Sequence, residues 1–372
     1  MADHTPIEWT DATWNIVTGC SLVSPGCTNC YAMKLAGTRL RDHPSRQGLT
    51  ADSKAGPVWN GQVRFNAQWL DQPLRWTKPR KIFVCAHGDL FHDGVEMHWL
   101  DQIFAVMALC PQHVFQILTK RPERMRAYLT QACGRIADRI IAMRRARGDR
   151  DMVLVPLAHV PPGSPWWPLP NVWLGVSVED QARADERIPV LLDTPAAVRW
   201  ISAEPLLGPV DLQNLAFPKT CDCDGHAPTF KALTATVYCD GCCEGPEPMR
   251  VGRLDWVVVG GESGPGARPM HPDWARALRD QCAGAEVPFL FKQWGDWIDW
   301  KQFGATAWRN TTPQRPSYDG RLTGTFHGGE QHFTGPFETR HVDKWILAKT
   351  GKKAAGRRLD GVLHDAYPEV RA

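Results

Sequence analysis

Cys20, Cys27 and Cys30 stand as C-x6-C-x2-C within Gly19-Cys20-Ser21-Leu22-Val23-Ser24-Pro25-Gly26-Cys27-Thr28-Asn29-Cys30-Tyr31, directly after an extended run. Thiolates are soft ligands that favour iron–sulfur clusters and zinc. Three of them on a four-iron cluster leave one iron without a protein ligand, a position that can take a small molecule. The same trio completed by a histidine would be a zinc site, and three unconnected thiols would hold no metal. Spacing alone leaves these readings open.

A second group, Cys221, Cys223, Cys239 and Cys242 with neighbouring Cys243, forms C-x-C-x15-C-x2-C-C in a polar stretch too small for an apolar core of its own. Two close pairs of thiolates predict a structural zinc ribbon, or an auxiliary iron–sulfur cluster, whose metal would supply the missing stability. Cys85, Cys110, Cys133 and Cys282 have no partner at ligand spacing; Cys85 is singled out only by ending a strand-like run.

Such ligands need a frame. Short β-rich runs recur at Ile82–Cys85, Val114–Leu118, Val172–Val176, Val198–Ser202, Trp256–Gly260 and Pro288–Phe291, with one more expected near Asn15–Gly19. They read as buried parallel strands. Between them, Trp99, Leu100, Ile103, Phe104, Met107 and Leu109 follow helical spacing, and Pro122 suits the first residue of a helix over Glu123–Leu129. The alternation predicts an α/β fold, a partial or complete (β/α) barrel with its chemistry at the carboxyl ends of the strands. A doubly wound open sheet is the competitor. Residues 1–216 and 249–298 would form the barrel, 217–248 an inserted Cys-rich metal-binding module, and 299–372 a basic carboxyl-terminal extension. The prolines between Asp151 and Pro170 exclude a continuous helix or central strand there.

Trp9-Thr10-Asp11-Ala12-Thr13-Trp14-Asn15, the cysteine trio, Leu118-Thr119-Lys120-Arg121-Pro122, Gly260-Gly261-Glu262-Ser263-Gly264 and Phe291-Lys292-Gln293-Trp294-Gly295 resemble a phage-associated, radical-SAM-like family of unassigned function over most of the chain. At superfamily level the trio resembles the radical S-adenosylmethionine (SAM) enzymes, whose three cluster cysteines sit in a loop after the first barrel strand. Their commonest spacing is C-x3-C-x2-C with an aromatic before the last cysteine. Here the first gap is longer, Asn29 precedes Cys30 and Tyr31 follows it. The resemblance implies a [4Fe-4S] cluster whose open iron chelates SAM, reductive cleavage to a 5′-deoxyadenosyl radical, and a one-electron donor of the flavodoxin or ferredoxin type. It also implies a Gly-Gly-Glu after the second strand, where this chain has Cys85-Ala86-His87-Gly88-Asp89; a Gly-Gly-Glu occurs instead at Gly260–Glu262, after a late strand.

Polar residues at predicted strand ends are the candidate pocket. Tyr31, Lys120, Ser177, Glu204, Gly260, Gly261 and Glu262 are read as cofactor contacts, and Lys292, Gln293, Trp294, Lys352, Lys353 and Arg357 as substrate contacts. Glu179 and Ser202 end strands in the same way. Basic residues gather at Lys120–Arg126, Arg139–Arg150 and Lys349–Arg358, and Trp294, Trp297 and Trp300 offer stacking surfaces, which makes DNA or RNA a candidate partner. A net charge of +3 is too mild to settle that by itself. At 372 residues and 43% hydrophobic content the chain can bury a large core. No apolar run is long enough for a bilayer and the amino terminus lacks a secretory pattern, so the expected location is the cytoplasm, away from membranes. Two function classes follow: a radical SAM enzyme acting on nucleic acid, a nucleotide, a small metabolite or a peptide, and a noncatalytic zinc-containing nucleic-acid-binding protein.

Overall fold

In the computed structural model the described residues are 5–148, 166–216, 229–238, 252–299 and 345–369, together with the strand backbones at 324–327, 330–333 and 339–342. Cys221, Cys223, Cys239 and Cys242, Trp300 and Arg150 lie outside them.

Seven parallel strands form one curled sheet: β1 (Ala12–Trp14), β2 (Lys81–Val84), β3 (Val114–Thr119), β4 (Val172–Ser177), β5 (Val198–Ala203), β6 (Trp256–Gly260) and β7 (Phe289–Gln293). They are hydrogen-bonded in chain order from β1 to β7. A doubly wound sheet reverses its order at a switch point, and this one does not. The architecture is therefore mixed α/β with a curled half-barrel sheet.

Six of the strands fall on the predicted apolar runs. The first does not: the strand is Ala12–Trp14, while Val17–Thr18 within Asn15–Gly19 pairs antiparallel with Arg64–Phe65. The apolar β-branched residues drew the expectation forward, but pairing with β2 is made by the shorter segment before them.

Side chains alternate across each strand. Phe83, Trp173, Val198, Trp200, Trp256, Val258 and Leu290 point to the concave face, where Trp9 closes on them in one aromatic cluster. Their neighbours Ile82, Val84, Leu174, Val176, Ile201, Val257 and Val259 belong to the convex core beneath the helices. Because both faces are covered, the strands read as continuous apolar runs. Gly175 is needed in β4, since a Cβ there would overlap the Trp200 indole.

The helices are α1 (Tyr31–Gly37), α2 (Met97–Ala108), α3 (Pro122–Gln131), α4 (Cys133–Ala146), α5 (Gln181–Leu192) and α6 (Pro272–Gly284). Leu100, Ile103, Phe104 and Met107 bury the inner stripe of α2, and Pro122 opens α3 as expected. The Asp180 side chain caps α5 by accepting from the Arg183 amide at 2.9 Å. Of the stretch 217–248, residues 229–238 are described: Thr229–Lys231 and Thr236–Tyr238 form a small antiparallel sheet with Leu215–Ala216 of the preceding chain, and Phe230 joins the main core.

Of the stretch read as a basic extension, the described residues 345–369 pack along the edge of the half-barrel sheet. Trp297–Asp299 pairs with Trp345–Lys349. Further on, residues 356–367 run back along β7: Phe291 and Trp294 donate backbone bonds to His364 and Gly356, and the Trp256 indole donates to the Ala366 carbonyl at 2.8 Å. The same strap reaches the segment before β1, with the Tyr367 hydroxyl on the Glu8 carbonyl and Lys352 paired to the Glu8 carboxylate at 3.3 Å. The gap between the sheet's two edges is thus spanned. Trp294 and Trp297 are both buried and bonded to the Arg358 and Ala267 carbonyls, so neither offers a stacking surface.

Asp360 pins the strap by accepting from Arg276 and Arg279 of α6. These hydrogen bonds, that of Arg276 foremost, hold its carboxyl below the usual carboxylate range. A depressed carboxylate stabilises the fold above its unfolded pKa and loses that stabilisation as pH falls through the folded value. Asp360→Asn should lower the unfolding free energy measured by urea denaturation at neutral pH by about 1 kcal/mol or less, since the pair is partly exposed. The difference from wild type should vanish on acidification; a difference independent of pH would contradict the assignment.

Candidate functional site

Sequential parallel strands send all their carboxyl ends to one mouth, and there a cavity of about 600 Å³ opens. Cys20, Cys27 and Cys30 all line it. So do Tyr31, Lys120, Ser177, Glu204, Gly261, Glu262, Lys292, Gln293 and Lys352, each singled out from sequence. Gly260, Trp294, Lys353 and Arg357 do not. Gly260 backs the Glu204 carboxylate, Lys353 is exposed, and Arg357 is occupied by Asp365 and the Lys292 carbonyl. The floor is apolar, with Trp9 tilted against Phe83 at 4.7 Å between ring centroids.

The cysteine loop leaves β1 through Gly19, at φ +95°, where a Cβ would overlap the Gln62 carbonyl oxygen. Only glycine makes that turn beside that neighbour. The loop itself has one short 3-10 turn, Pro25–Cys27, and no buried residue within it. Carboxylates at three strand ends hold it.

After β2, Asp89 accepts from the Thr119 hydroxyl at 2.7 Å, the Lys120 amide at 3.2 Å and Arg121 Nη1 at 2.8 Å. Arg121 passes this anchorage on, donating Nη2 to Ser21 Oγ at 2.7 Å and Nη1 to Cys20 Sγ at 3.7 Å. After β4, Glu179 is fully buried, paired with Arg187 at 3.0 Å and accepting from Ser24 Oγ at 2.5 Å. Gly26 lies against that carboxylate, where a Cβ would collide with it. After β6, Glu262 accepts from Asn29 at 3.0 Å and is gripped by Arg268, whose Nη2 also reaches the Pro25 carbonyl at 3.1 Å. Burial acts to raise the Glu262 pKa, but hydrogen bonds from Arg268 and Asn29 together outweigh it, so its carboxyl sits below the usual range. Finally Tyr31 donates its hydroxyl to the Ala86 carbonyl at 2.7 Å.

Glu262 and Glu179 are therefore committed to holding the loop. Gly261 has a structural reason as well: a Cβ there would overlap the Trp294 carbonyl. On the far wall Glu204 accepts from Lys292 at 2.6 Å and from Gln293 at 3.3 Å through one oxygen, Oε1. Among the described residues nothing donates to its Oε2, and Glu204 lines the cavity. Sequence reasoning missed Asp89, Arg187, Arg268 and Asn29 as holders of the loop. Position at a strand end was the available signal for Asp89; Arg187 and Arg268 stand only 8 and 6 residues from the carboxylates they grip, whereas Asp89 and Asn29 meet partners 32 and 233 residues away.

Of the basic cluster Lys120–Arg126, every member but one is tied within the fold by an ion pair: Lys120 to Glu179 at 3.6 Å, Arg121 to Asp89 and Arg126 to Asp193, while Arg124 donates to the Val95 carbonyl. Arg144, Arg145 and Arg147 are exposed at the end of α4, which packs on α2. The cations presented to the cavity are Lys120, Arg121, Lys292 and Lys352.

Among the described residues no three His, Cys, Asp or Glu side chains are gathered as a metal ion would hold them. The three thiols border one cavity without closing on a common point. Burial foremost, and then the Asp89 charge, pushes the Cys20 thiol up to about 12, against the pull of Arg121. A cation bound there must displace that proton.

Residues 4–368 match the family described as Protein of unknown function (DUF5131), and the chain belongs to that family. No curated protein and no solved structure matches it. No helix among the described residues is long and apolar enough to cross a membrane.

The anchorage of the loop has a measurable signature. Arg121→Met should cost about 3 kcal/mol or more by leaving Asp89 buried and unpaired. Adding Asp89→Asn to that variant should recover a large part of the loss, giving a coupling above about 1 kcal/mol in a urea double-mutant cycle. Strict additivity would mean that the pair does not act as a unit.

Proposed function

We propose that this DUF5131 chain is an iron–sulfur enzyme of the radical SAM type, with Cys20, Cys27 and Cys30 as the ligands of a four-iron cluster. The observation that carries this reading is the convergence of all three thiols on the mouth of a parallel half-barrel, in a loop without a core of its own, fixed by three strand-end carboxylates. The donor set fits such a group: three soft thiols that border one cavity without gathering as a single ion would hold them suit a polynuclear cluster better than one ion with metal–sulfur bonds of about 2.3 Å. The cationic Arg121 beside Cys20 suits an anionic assembly. When bound, the cluster would supply the electron that cleaves SAM and starts radical chemistry.

The chain's own residues would then do the positioning. Asp89 and Arg121 hold the first thiol, and Ser24 on Glu179 sets the turn that presents the second. Asn29, between Glu262 and the Gly266 carbonyl, fixes the backbone entering the third. Glu204, held through Oε1 by Lys292 and Gln293, would offer its other oxygen, Oε2, as an acceptor to a ribose hydroxyl or an amine. The half-exposed Tyr31 ring, tethered by its hydroxyl, and the Trp9–Phe83 floor provide flat apolar surface.

For the substrate we favour a nucleotide unit, alone or within a strand. Lys120, Lys292 and Lys352 line the cavity, each paired with a carboxylate, Glu179, Glu204 and Glu8, but with ammonium donors to spare for a phosphate, whereas the outer arginines of α4 do not frame it. A one-electron donor of the flavodoxin or ferredoxin type completes the proposal, and the cytoplasm is the location it requires. Zinc on the second cysteine group belongs to the same proposal as a structural element.

Anaerobic reconstitution with iron and sulfide tests the reading. The wild-type protein should take up about four irons, absorb in the visible, and on reduction with dithionite convert SAM to 5′-deoxyadenosine and methionine. Replacing Cys20, Cys27 and Cys30 together by alanine should abolish both properties. Stoichiometric zinc in the trio with no SAM cleavage would refute the proposal and favour the noncatalytic reading.

A further inference from the structure

Arg46 stands in the excursion between β1 and β2 and is 5% exposed. Its Nη1 donates to Ser45 Oγ and its Nε to His87 Nδ1 at 3.4 Å. Nη2 donates to no described residue. The other two arginines that are similarly buried are each matched by a carboxylate, Arg121 by Asp89 and Arg187 by Glu179. Arg46 has none. The ionisable groups that act on it are Cys85, Tyr31 and a second cation, Arg64, which is occupied with the Pro44 and Gln47 carbonyls. Neither Cys85 nor Tyr31 supplies the missing charge: burial pushes the Cys85 thiol up to about 12 and the Tyr31 phenol higher still. A guanidinium out of water without a counter-charge is strongly unfavourable.

His87 connects this charge to the cavity. Arginine has only donors, so His87 Nδ1 must offer its lone pair, and the ring proton resides on Nε2. Burial first, and Arg46 second, push the His87 pKa down to about 4, so the ring is a neutral donor at physiological pH. It lines the cavity beside Cys85, Ala86 and Tyr31.

We propose that Arg46 and His87 form an oxyanion subsite in the cavity wall, where a phosphate or carboxylate group of the entering ligand supplies the counter-charge that the fold withholds. Arg46 furnishes the field and His87 the hydrogen bond that reaches the ligand oxygen. The subsite is independent of any metal in the cysteine loop.

Thermal unfolding at neutral pH and constant ionic strength tests it, with sodium phosphate and sodium acetate as probes and sodium chloride as the reference. Phosphate, acetate or both should raise the wild-type Tm by about 2 °C or more at saturation, through binding to the folded state alone. A response to phosphate only identifies a phosphoryl group, and one to acetate only a carboxylate. Arg46→Gln should lose the anion-specific rise while showing a Tm without anion at or above the wild-type value, and Arg46→Lys should retain part of the rise. If Arg46→Gln does not fold, the carbon-13 resonance of the His87 Cε1–H in the wild-type protein should shift saturably with the effective anion. No anion-specific rise and no His87 shift in wild type, or an equal rise in Arg46→Gln, would overturn the proposal.

Discussion

The loop that carries the three thiols has almost no structure of its own, so its shape is imposed from outside by carboxylates that the sheet cannot leave unpaired. Asp89, Glu179 and Glu262 sit at the ends of β2, β4 and β6, and each is neutralised by an arginine, Arg121, Arg187 and Arg268. A buried pair of this kind adds little net stability over an apolar alternative, but losing one partner is costly. Its value here is geometric. Ser21, Ser24 and Asn29, one residue or a few from the cysteines, are held by the same charged groups that lock the strand ends, so the loop is registered against three strands at once. Loosening any anchor would let a thiol drift from the cavity.

How much of this could be read from the chain follows from where the information lies. Apolar runs fixed six strands, because a sheet covered on both faces must be continuous in hydrophobicity. Trp9, Trp173, Trp200 and Trp256, which do not look special in sequence, turned out to fill the concave face. The first strand escaped because Ala12–Trp14 is only three residues long, too short for a recognisable apolar run. Helix α4 escaped because its arginines drew attention away from Ile136, Ala137 and Ile140, which pack it inward. Strand-end polar residues found the mouth of the cavity as a class, since chain-order parallel strands all deliver there. Roles within the class were not legible: Glu262 reads as a cofactor contact and serves as an anchor, Glu179 reads only as a polar strand end and serves as another, while Arg357 reads as a substrate contact and clamps the strap. Such pairings join Asn29 to Glu262 and Arg46 to His87 across elements that no local pattern links.

Charge is distributed unevenly about the site. On the Glu179 and Glu262 side the acids and bases are matched, and the surroundings are rigid and nearly neutral. On the Arg46 and His87 side a buried cation lacks its acid. Under the proposed subsite this imbalance would orient an anionic ligand toward the Arg46 and His87 wall, with the aromatic floor beneath it. The strap from Gly356 to Tyr367 closes the sheet edge on which Lys292 and Gln293 stand, so that wall also has a fixed position.

The central claim is that three sulfurs hold a polynuclear centre with one metal corner open to a small molecule. Mössbauer spectroscopy of protein reconstituted with the resonant iron isotope, recorded with and without SAM, addresses it most directly. The account predicts a four-iron spectrum in which one iron alone changes its isomer shift and quadrupole splitting when SAM is added. A mononuclear iron signal, or a cluster spectrum that SAM leaves untouched at every iron, would contradict it.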